Sequence, residues 1–163
     1  MATVSDALDG GIIVVFEVPA WDSRLPLRPL WVTPDLLSWV DAKPELHDTA
    51  FAVGARTLFE HLLTMFCDFR CADHCPPHAG DLKRMTPTKH GIWKMHPPQL
   101  RIYGWCPGQH QFIGVTAALE SETKADRKLN DKKLNEVRDF IKKHRLERTV
   151  LRGDILAVFP HPA

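Results

Sequence analysis

The chain has 163 residues, 44% of them hydrophobic and 25% charged, a composition typical of one globular domain that can bury a core in water. Its longest apolar run, residues 12–16, is too short to cross a bilayer, and no basic segment of the kind that opens a signal peptide precedes it. Four unevenly spaced cysteines do not suggest a secreted disulfide framework. We therefore expect a cytoplasmic protein with reduced thiols and no membrane partner.

The basic charge is confined to one part of the chain. Residues 83–152 contain 16 Lys and Arg against 7 Asp and Glu, a difference of +9, whereas residues 1–82 contain 5 against 12, a difference of −7. The net charge of +1 hides this asymmetry, but a polyanion responds to the local potential. The second half is therefore expected to bind an anionic partner.

The first elements alternate between extended and helical patterns. Residues 12–18 are rich in β-branched side chains and predict a strand. Four prolines make residues 19–34 a loop, within which residues 30–32 could add a short edge strand. A short helix is predicted from Pro34, with Thr33 as its possible N-cap.

A longer helix, capped by Asp48 or Thr49, is predicted next, before the proline-rich residues 71–80. Its apolar positions follow the helical period and are Phe51, Ala55, Leu58, Phe59, Leu62, Leu63 and Phe66.

The basic half reads mainly as strands. Four strands are predicted at residues 82–85, 92–95, 100–105 and 112–119. A helix with a basic solvent face should cover residues 124–144, and the apolar residues 155–159 could form a closing edge strand. We therefore predict one α/β (α+β) domain, in which N-terminal helices pack on a curved, mostly antiparallel sheet and a C-terminal helix follows.

The hairpin of residues 91–105 carries the most informative side chains. Because side chains alternate along a strand, Lys94 and His96 should share one face, and Arg101 and Tyr103 should alternate with apolar neighbours. Cationic side chains are then aligned on one side of the sheet. The alternative is a solvated charged face that only keeps the domain soluble.

The order of several short motifs resembles the RelE/HigB-like toxin family, especially its phage-derived branch. The motifs are Leu82, Gly91-Ile92-Trp93-Lys94-Met95-His96, Leu100-Arg101-Ile102-Tyr103, an apolar strand at 112–119, and Lys124 before a helix. The resemblance covers about residues 34–145. It implies a RelE-like domain at 34–145, preceded by an N-terminal strand and Pro-rich extension at 1–33 and followed by a C-terminal extension at 146–163.

This resemblance implies a toxin that cleaves messenger RNA, usually on the ribosome, without metal or cofactor, and that a cognate antitoxin protein neutralises. Such transesterification needs a base, an acid and cations for the phosphate. On the matching positions, Arg101 and Lys124 would hold phosphate, and Lys94 or His96 would transfer protons. Further RNA contacts are expected from Lys83, Arg84, Tyr103, Arg127 and Lys128. Tyr103 could stack on a base or pack in the core.

Two departures from the family pattern leave a second function open. Lys94-Met95-His96 stands where the family usually has Glu-Leu-Arg, and the family's Lys-Lys is reduced to Lys124. The chain could therefore be a catalytically inert RelE-like prophage or regulatory protein that binds RNA or an acidic protein partner. The nuclease hypothesis requires that Lys94, Arg101 and Lys124 converge in one concave anion pocket. The alternative for Arg101 is a structural ion pair with an acidic neighbour, and the hypothesis holds only if no carboxylate occupies Arg101.

A rival cluster contains Cys67, Cys71, His74, Cys75 and His78. Thiolates and imidazoles at this density could bind zinc and stabilise an interaction module. Structural zinc sites, however, usually place two close pairs of ligands farther apart, so buried cysteines are the simpler interpretation. No metal site is predicted.

Overall fold

The computed structural model describes residues 1–17, 27–71 and 80–161. Within these residues, six strands form one sheet in the order β1-β2-β6-β5-β4-β3. The strands are β1 (Val14–Val15), β2 (Leu30–Val32), β3 (Leu82–Arg84), β4 (Ile92–Met95), β5 (Leu100–Trp105) and β6 (Phe112–Leu119). Only β2 and β6 pair in parallel; the other neighbours are antiparallel. The prediction of a mixed α/β fold with a mostly antiparallel sheet is confirmed.

Four helices pack on the first face of the sheet. They are α2 (Pro34–Ala42), α3 (Pro44–His47), α4 (Leu58–Cys71) and α7 (Ile155–Val158). Phe66 of α4 and Phe159 after α7 are buried with Trp93 and Ile102 of the sheet. The hydroxyl of Thr33 accepts a hydrogen bond from the Leu36 amide and thereby caps α2, as predicted.

The second face is covered by α1 (Val4–Asp9) and α6 (Leu129–Lys143), and α5 (Glu120–Ala125) connects β6 to α6. Val137 and Ile141 of α6 are buried with Tyr103 and Trp105 of β5 in a second hydrophobic cluster. The sheet therefore has an apolar layer on both faces, and this explains why β5 and β6 are buried along almost their whole length.

The pairing of β5 with β6 contains a bulge beside Tyr103 and Gly104. A Cβ atom at Gly104 would overlap the backbone carbonyl of Ile113, so only glycine fits the close approach of the two strands. The bulge lies two residues after Arg101, the one cationic residue of β5.

Several sequence predictions of helices are corrected by the structure. The long helix begins at Leu58 and not near Asp48, because residues 49–51 form a 3-10 turn and Gly54 adopts a left-handed φ of 64°. The predicted helix at 124–144 is two helices, α5 and α6, since Asp126 is extended at φ −121° and ψ 102°.

Three strand predictions also change. Residues 155–158 form the helix α7 and not an edge strand, because the Asp154 carboxylate accepts from the Ala157 amide and caps a helical turn. The predicted strand at 12–18 is reduced to Val14–Val15, and Val18 lies outside the described residues. Residues 30–32 are not an edge strand, because β2 lies between β1 and β6.

Helix α1 was not predicted. Thr3 and Asp6 bond to each other's backbone amides in a capping box that starts this helix. Across the three described stretches of the chain, none of the helices combines the length and apolar character needed to cross a membrane.

Candidate anion-binding face

Four basic side chains lie on the second face of the sheet, beside α6. Lys83 of β3 is opposite Lys94 of β4, which in turn is opposite Tyr103 of β5. His96 follows β4 by one residue and Arg101 lies two residues before Tyr103, so both belong to the same face by strand alternation. We call Lys83, Lys94, His96 and Arg101 the cationic cluster.

The pKa values of the cluster show that its charges repel each other. Partial burial lowers the pKa of Lys94, and the neighbouring charges of Arg101 and Lys83 lower it further. Burial likewise lowers the pKa of His96 from 6.5 to about 4, with additional contributions from Arg101, Lys94 and Lys83 that Glu120 partly offsets. At neutral pH the imidazole of His96 is therefore uncharged.

One ring nitrogen of His96 has no hydrogen bond to the described residues. This atom, Nε2, is buried. The backbone amide of His96 donates to the carbonyl of Asp81 at 2.8 Å, which fixes the residue at the end of the hairpin. A neutral imidazole with a free nitrogen can accept a proton from a ligand hydroxyl.

Arg101 is held by a carboxylate that the sequence did not point to. Its Nη2 atom lies 3.1 Å from Oε2 of Glu120, and Lys124 Nζ lies 2.7 Å from the other carboxylate oxygen. Arg101 Nη1 also donates to the carbonyl of Leu100. Arg101 and Lys124 therefore share one carboxylate, and the charge of Arg101 acts on Lys94. Arg101, with only 16% of its side chain exposed, is already paired.

Helix α5 places Glu120 in this position. The Glu120 amide donates to the carbonyl of Gln99 at 2.9 Å, directly after the β5–β6 pairing. One turn further, the Glu122 carboxylate accepts from the Leu119 amide and lies 3.4 Å from Lys43 Nζ of the segment after α2. Glu120 could have been suspected from its (i, i+4) spacing with Lys124.

The other predicted RNA contacts are distributed unevenly. Tyr103 is fully buried and its hydroxyl donates to Asn130 of α6 at 2.6 Å, so core packing is the role observed of the two left open. Burial also raises the pKa of Tyr103 to about 12. Arg84 alternates to the other face of the sheet and donates to the Gly153 carbonyl. Arg127 and Lys128 are exposed between α5 and α6.

The cysteine cluster is only partly described. Cys67 and Cys71 lie one turn apart at the end of α4, whereas His74, Cys75 and His78 lie outside the described residues. Burial raises the pKa of the Cys67 thiol, and the neighbouring Cys71 adds to this, so the thiol form is favoured. In the described part of the chain, no three His, Cys, Asp or Glu side chains are grouped as metal ligands.

Comparison of the chain with protein-family models, with curated proteins and with solved structures gives no match. A functional conclusion therefore depends on the chemistry of the cationic cluster and on the motif resemblance.

Proposed function

We propose that the chain binds RNA through the cationic cluster. The proposal depends on the surroundings of Lys94. This lysine is half-buried, and its pKa is lowered by burial and by the neighbouring charges of Arg101 and Lys83. Lys83 and Arg101 add positive charge on the same face, and phosphate oxygens are the ligands that such closely spaced cations prefer.

The alternative of a face that only confers solubility accounts poorly for this arrangement. A solvating lysine extends freely into water, whereas Lys94 is partly desolvated beside like charges, which costs folding free energy. Uncompensated charge of this kind is concentrated at functional sites, where a ligand supplies the missing counter-charge. A polyanion with one charge per nucleotide is a fitting counter-charge for cations placed on three neighbouring strands of one face.

Replacement of Lys94 tests this function. In Lys94→Met we expect the slope of log affinity against log salt for a single-stranded RNA to decrease by about 0.7, because one phosphate contact is lost. The free energy of unfolding should stay equal or increase by up to about 1 kcal/mol, because Met keeps the apolar stem and removes the repulsion. Fluorescence anisotropy over a salt series and urea unfolding measure the two quantities.

Arg56→Gln is a matched control, since Arg56 is an exposed cation just before α4, on the opposite face of the sheet. The proposal is contradicted if Lys94→Met binds RNA as tightly as the wild type does. It is also contradicted if Lys94→Met and Arg56→Gln lose RNA affinity equally.

Metal-independent RNA cleavage is a second candidate, which the neutral His96 favours. With its proton on Nδ1 and with Nε2 uncovered on RNA binding, His96 would accept the proton of a 2′-hydroxyl at Nε2, the 2′-oxygen would attack the phosphorus, and the 5′-oxygen would leave with a proton. Lys94 suits the role of the acid, because its lowered pKa eases proton donation. The ion pair of Arg101 with Glu120 fails the requirement that no carboxylate occupies Arg101, so cleavage would need phosphate to displace Glu120 from Arg101.

The resemblance to RelE/HigB-like toxins extends this second candidate to messenger RNA on the ribosome and to neutralisation by an antitoxin. Incubation of RNA with the protein in excess chelator should then yield 2′,3′-cyclic phosphate ends. His96→Gln should lose cleavage but keep RNA affinity, whereas His161→Gln, at an exposed position, should retain both. If RNA stays intact after incubation with the wild-type protein and ribosomes, the cleavage hypothesis is refuted, and the hypothesis of a catalytically inert RNA-binding protein remains.

A further inference from the structure

A second group of basic side chains lies at the other end of β4. Lys89 and His90 belong to the 3-10 turn that precedes Gly91 and β4, Arg138 belongs to α6, and Arg152 belongs to the segment before α7. Lys89, Arg138 and Arg152 are exposed. These four residues form what we call the distal cluster.

Packing brings the distal cluster together. Gly91 has a left-handed φ of 66°, and a Cβ atom there would lie 3.4 Å from Cγ of Arg152 and closer still to Val150. The Leu151 amide donates to the Cys106 carbonyl at 2.9 Å, which holds this segment against the sheet. Partial burial lowers the pKa of His90, and so do the nearby charges of Arg138, Lys89 and Arg152.

The distal cluster differs from the cationic cluster in its lack of a counter-charge. Among the described residues, ion pairs join Lys43 to Glu122, Arg101 and Lys124 to Glu120, Lys132 to Asp126, and Lys133 to Glu136. None of these pairs involves Lys89, Arg138 or Arg152. In the described part of the chain, the guanidinium of Arg138 has one hydrogen-bond partner, the neutral Asn135 at 3.5 Å. Its guanidinium is therefore available to an external anion.

We infer that the distal cluster is a second phosphate-binding site, and that a single RNA strand spans it and the cationic cluster along β4. The inference rests on the proposed RNA binding. Lys94 lies four residues after His90, roughly 13 Å along extended chain at about 3.3 Å per residue. A dinucleotide has one phosphate between its two nucleosides and does not reach both clusters, whereas an RNA of several nucleotides does.

RNA length separates this inference from simple attraction of charge. Arg138→Gln and Arg152→Gln should each lower the salt slope for a 12-nucleotide RNA by about 0.7. Lengthening the RNA from a dinucleotide to 12 nucleotides should increase the affinity of the wild type by a larger factor than that of either variant, because only the longer RNA occupies both clusters at once. Arg56→Gln is again the control, since it makes the same change of charge away from both clusters. Fluorescence anisotropy with labelled RNAs at several salt concentrations measures these slopes.

The outcomes are distinguishable. A smaller gain of affinity with RNA length in both distal variants than in the wild type supports the inference. If the wild type binds the longer RNA and both distal variants bind it like Arg56→Gln, the second site is refuted while the proposed function stands. If the wild type binds no RNA, the proposed function itself fails. If both distal variants bind polyglutamate more weakly than the wild type does, while their RNA binding is unchanged, the inference is overturned and the distal cluster is assigned to an acidic protein partner.

Discussion

Glu120 is expected to act as an internal competitor of phosphate. Its two carboxylate oxygens bind Arg101 and Lys124 at 3.1 and 2.7 Å, so a phosphate on these cations would meet the carboxylate at close range. Two unit charges 4 Å apart interact by about 1 kcal/mol in water and by about 4 kcal/mol at a protein surface of low effective dielectric constant. Because Glu120 is 26% exposed and is therefore partly screened by water, the lower figure is a minimum.

Glu120→Gln should therefore increase RNA affinity by at least about fivefold, which corresponds to about 1 kcal/mol. The slope of log affinity against log salt should steepen by between about 0.7 and 1.4, since one or both released cations gain a phosphate. Stability should decrease by about 1 to 2 kcal/mol, mainly because the poorly exposed Arg101 loses its partner. The pair with Lys124 should contribute little to this loss, because 75% of that side chain is exposed.

The assay is fluorescence anisotropy with one single-stranded RNA across a salt series, combined with urea unfolding of each variant. Glu136→Gln is the matched control, because Glu136 forms an ion pair with Lys133 at 3.2 Å and its neutralisation changes the net charge equally. Equal affinities and salt slopes for the two variants would refute the competition, since only the general charge would then matter. A decrease of affinity in Glu120→Gln would instead show that Glu120 orients Arg101 for binding.

Two further predictions concern stability. The pKa of His96 is lower in the folded chain than in the unfolded chain, so the unfolded state binds more protons between pH 6.5 and 4. The free energy of unfolding should therefore decrease as the pH falls through this window, by at most about 3 kcal/mol. Urea unfolding at pH 7 and 4.5 should show this loss in His161→Gln but not in His96→Gln, and equal losses in both would contradict the burial of His96. Gly104→Ala should cost more than about 3 kcal/mol or prevent folding, because its methyl group would overlap the Ile113 carbonyl. Gly10→Ala, at a negative φ with a nearest contact of 3.3 Å, should unfold nearly as the wild type does in thermal denaturation, and a comparable loss there would undermine this explanation.

Local periodicity explains why part of the candidate site was predictable. Alternation along a strand places Lys94 and His96 on one face. The short turn after β4 brings Arg101 of the antiparallel neighbour β5 onto the same face. The strand positions at 92–95, 100–105 and 112–119 were likewise predicted by their β-branched and aromatic content and agree with β4, β5 and β6. Both depend on residues that are close in sequence.

Predictions failed where short segments depended on capping or on distant contacts. The apolar residues 155–158 fit a strand by composition, but the Asp154 cap and packing of Phe159 against Trp93 make them helical. The predicted edge strand at 30–32 lies inside the sheet because it pairs with β6, some 80 residues later. Propensity alone does not contain such pairings.

The amino-acid sequence by itself determined that the positive charge lies in the second half of the chain and that it is aligned on one face of a β-hairpin. Only the tertiary structure decided which charges are neutralised. The β5–β6 pairing brings Glu120 to Arg101. Packing of residues 150–152 beside Gly91 brings Arg152 near His90, as α6 does Arg138, and neither arginine forms an ion pair with a carboxylate of the described residues. The physical reason is that the effect of a charge depends on its distance from other charges, and long-range packing determines that distance.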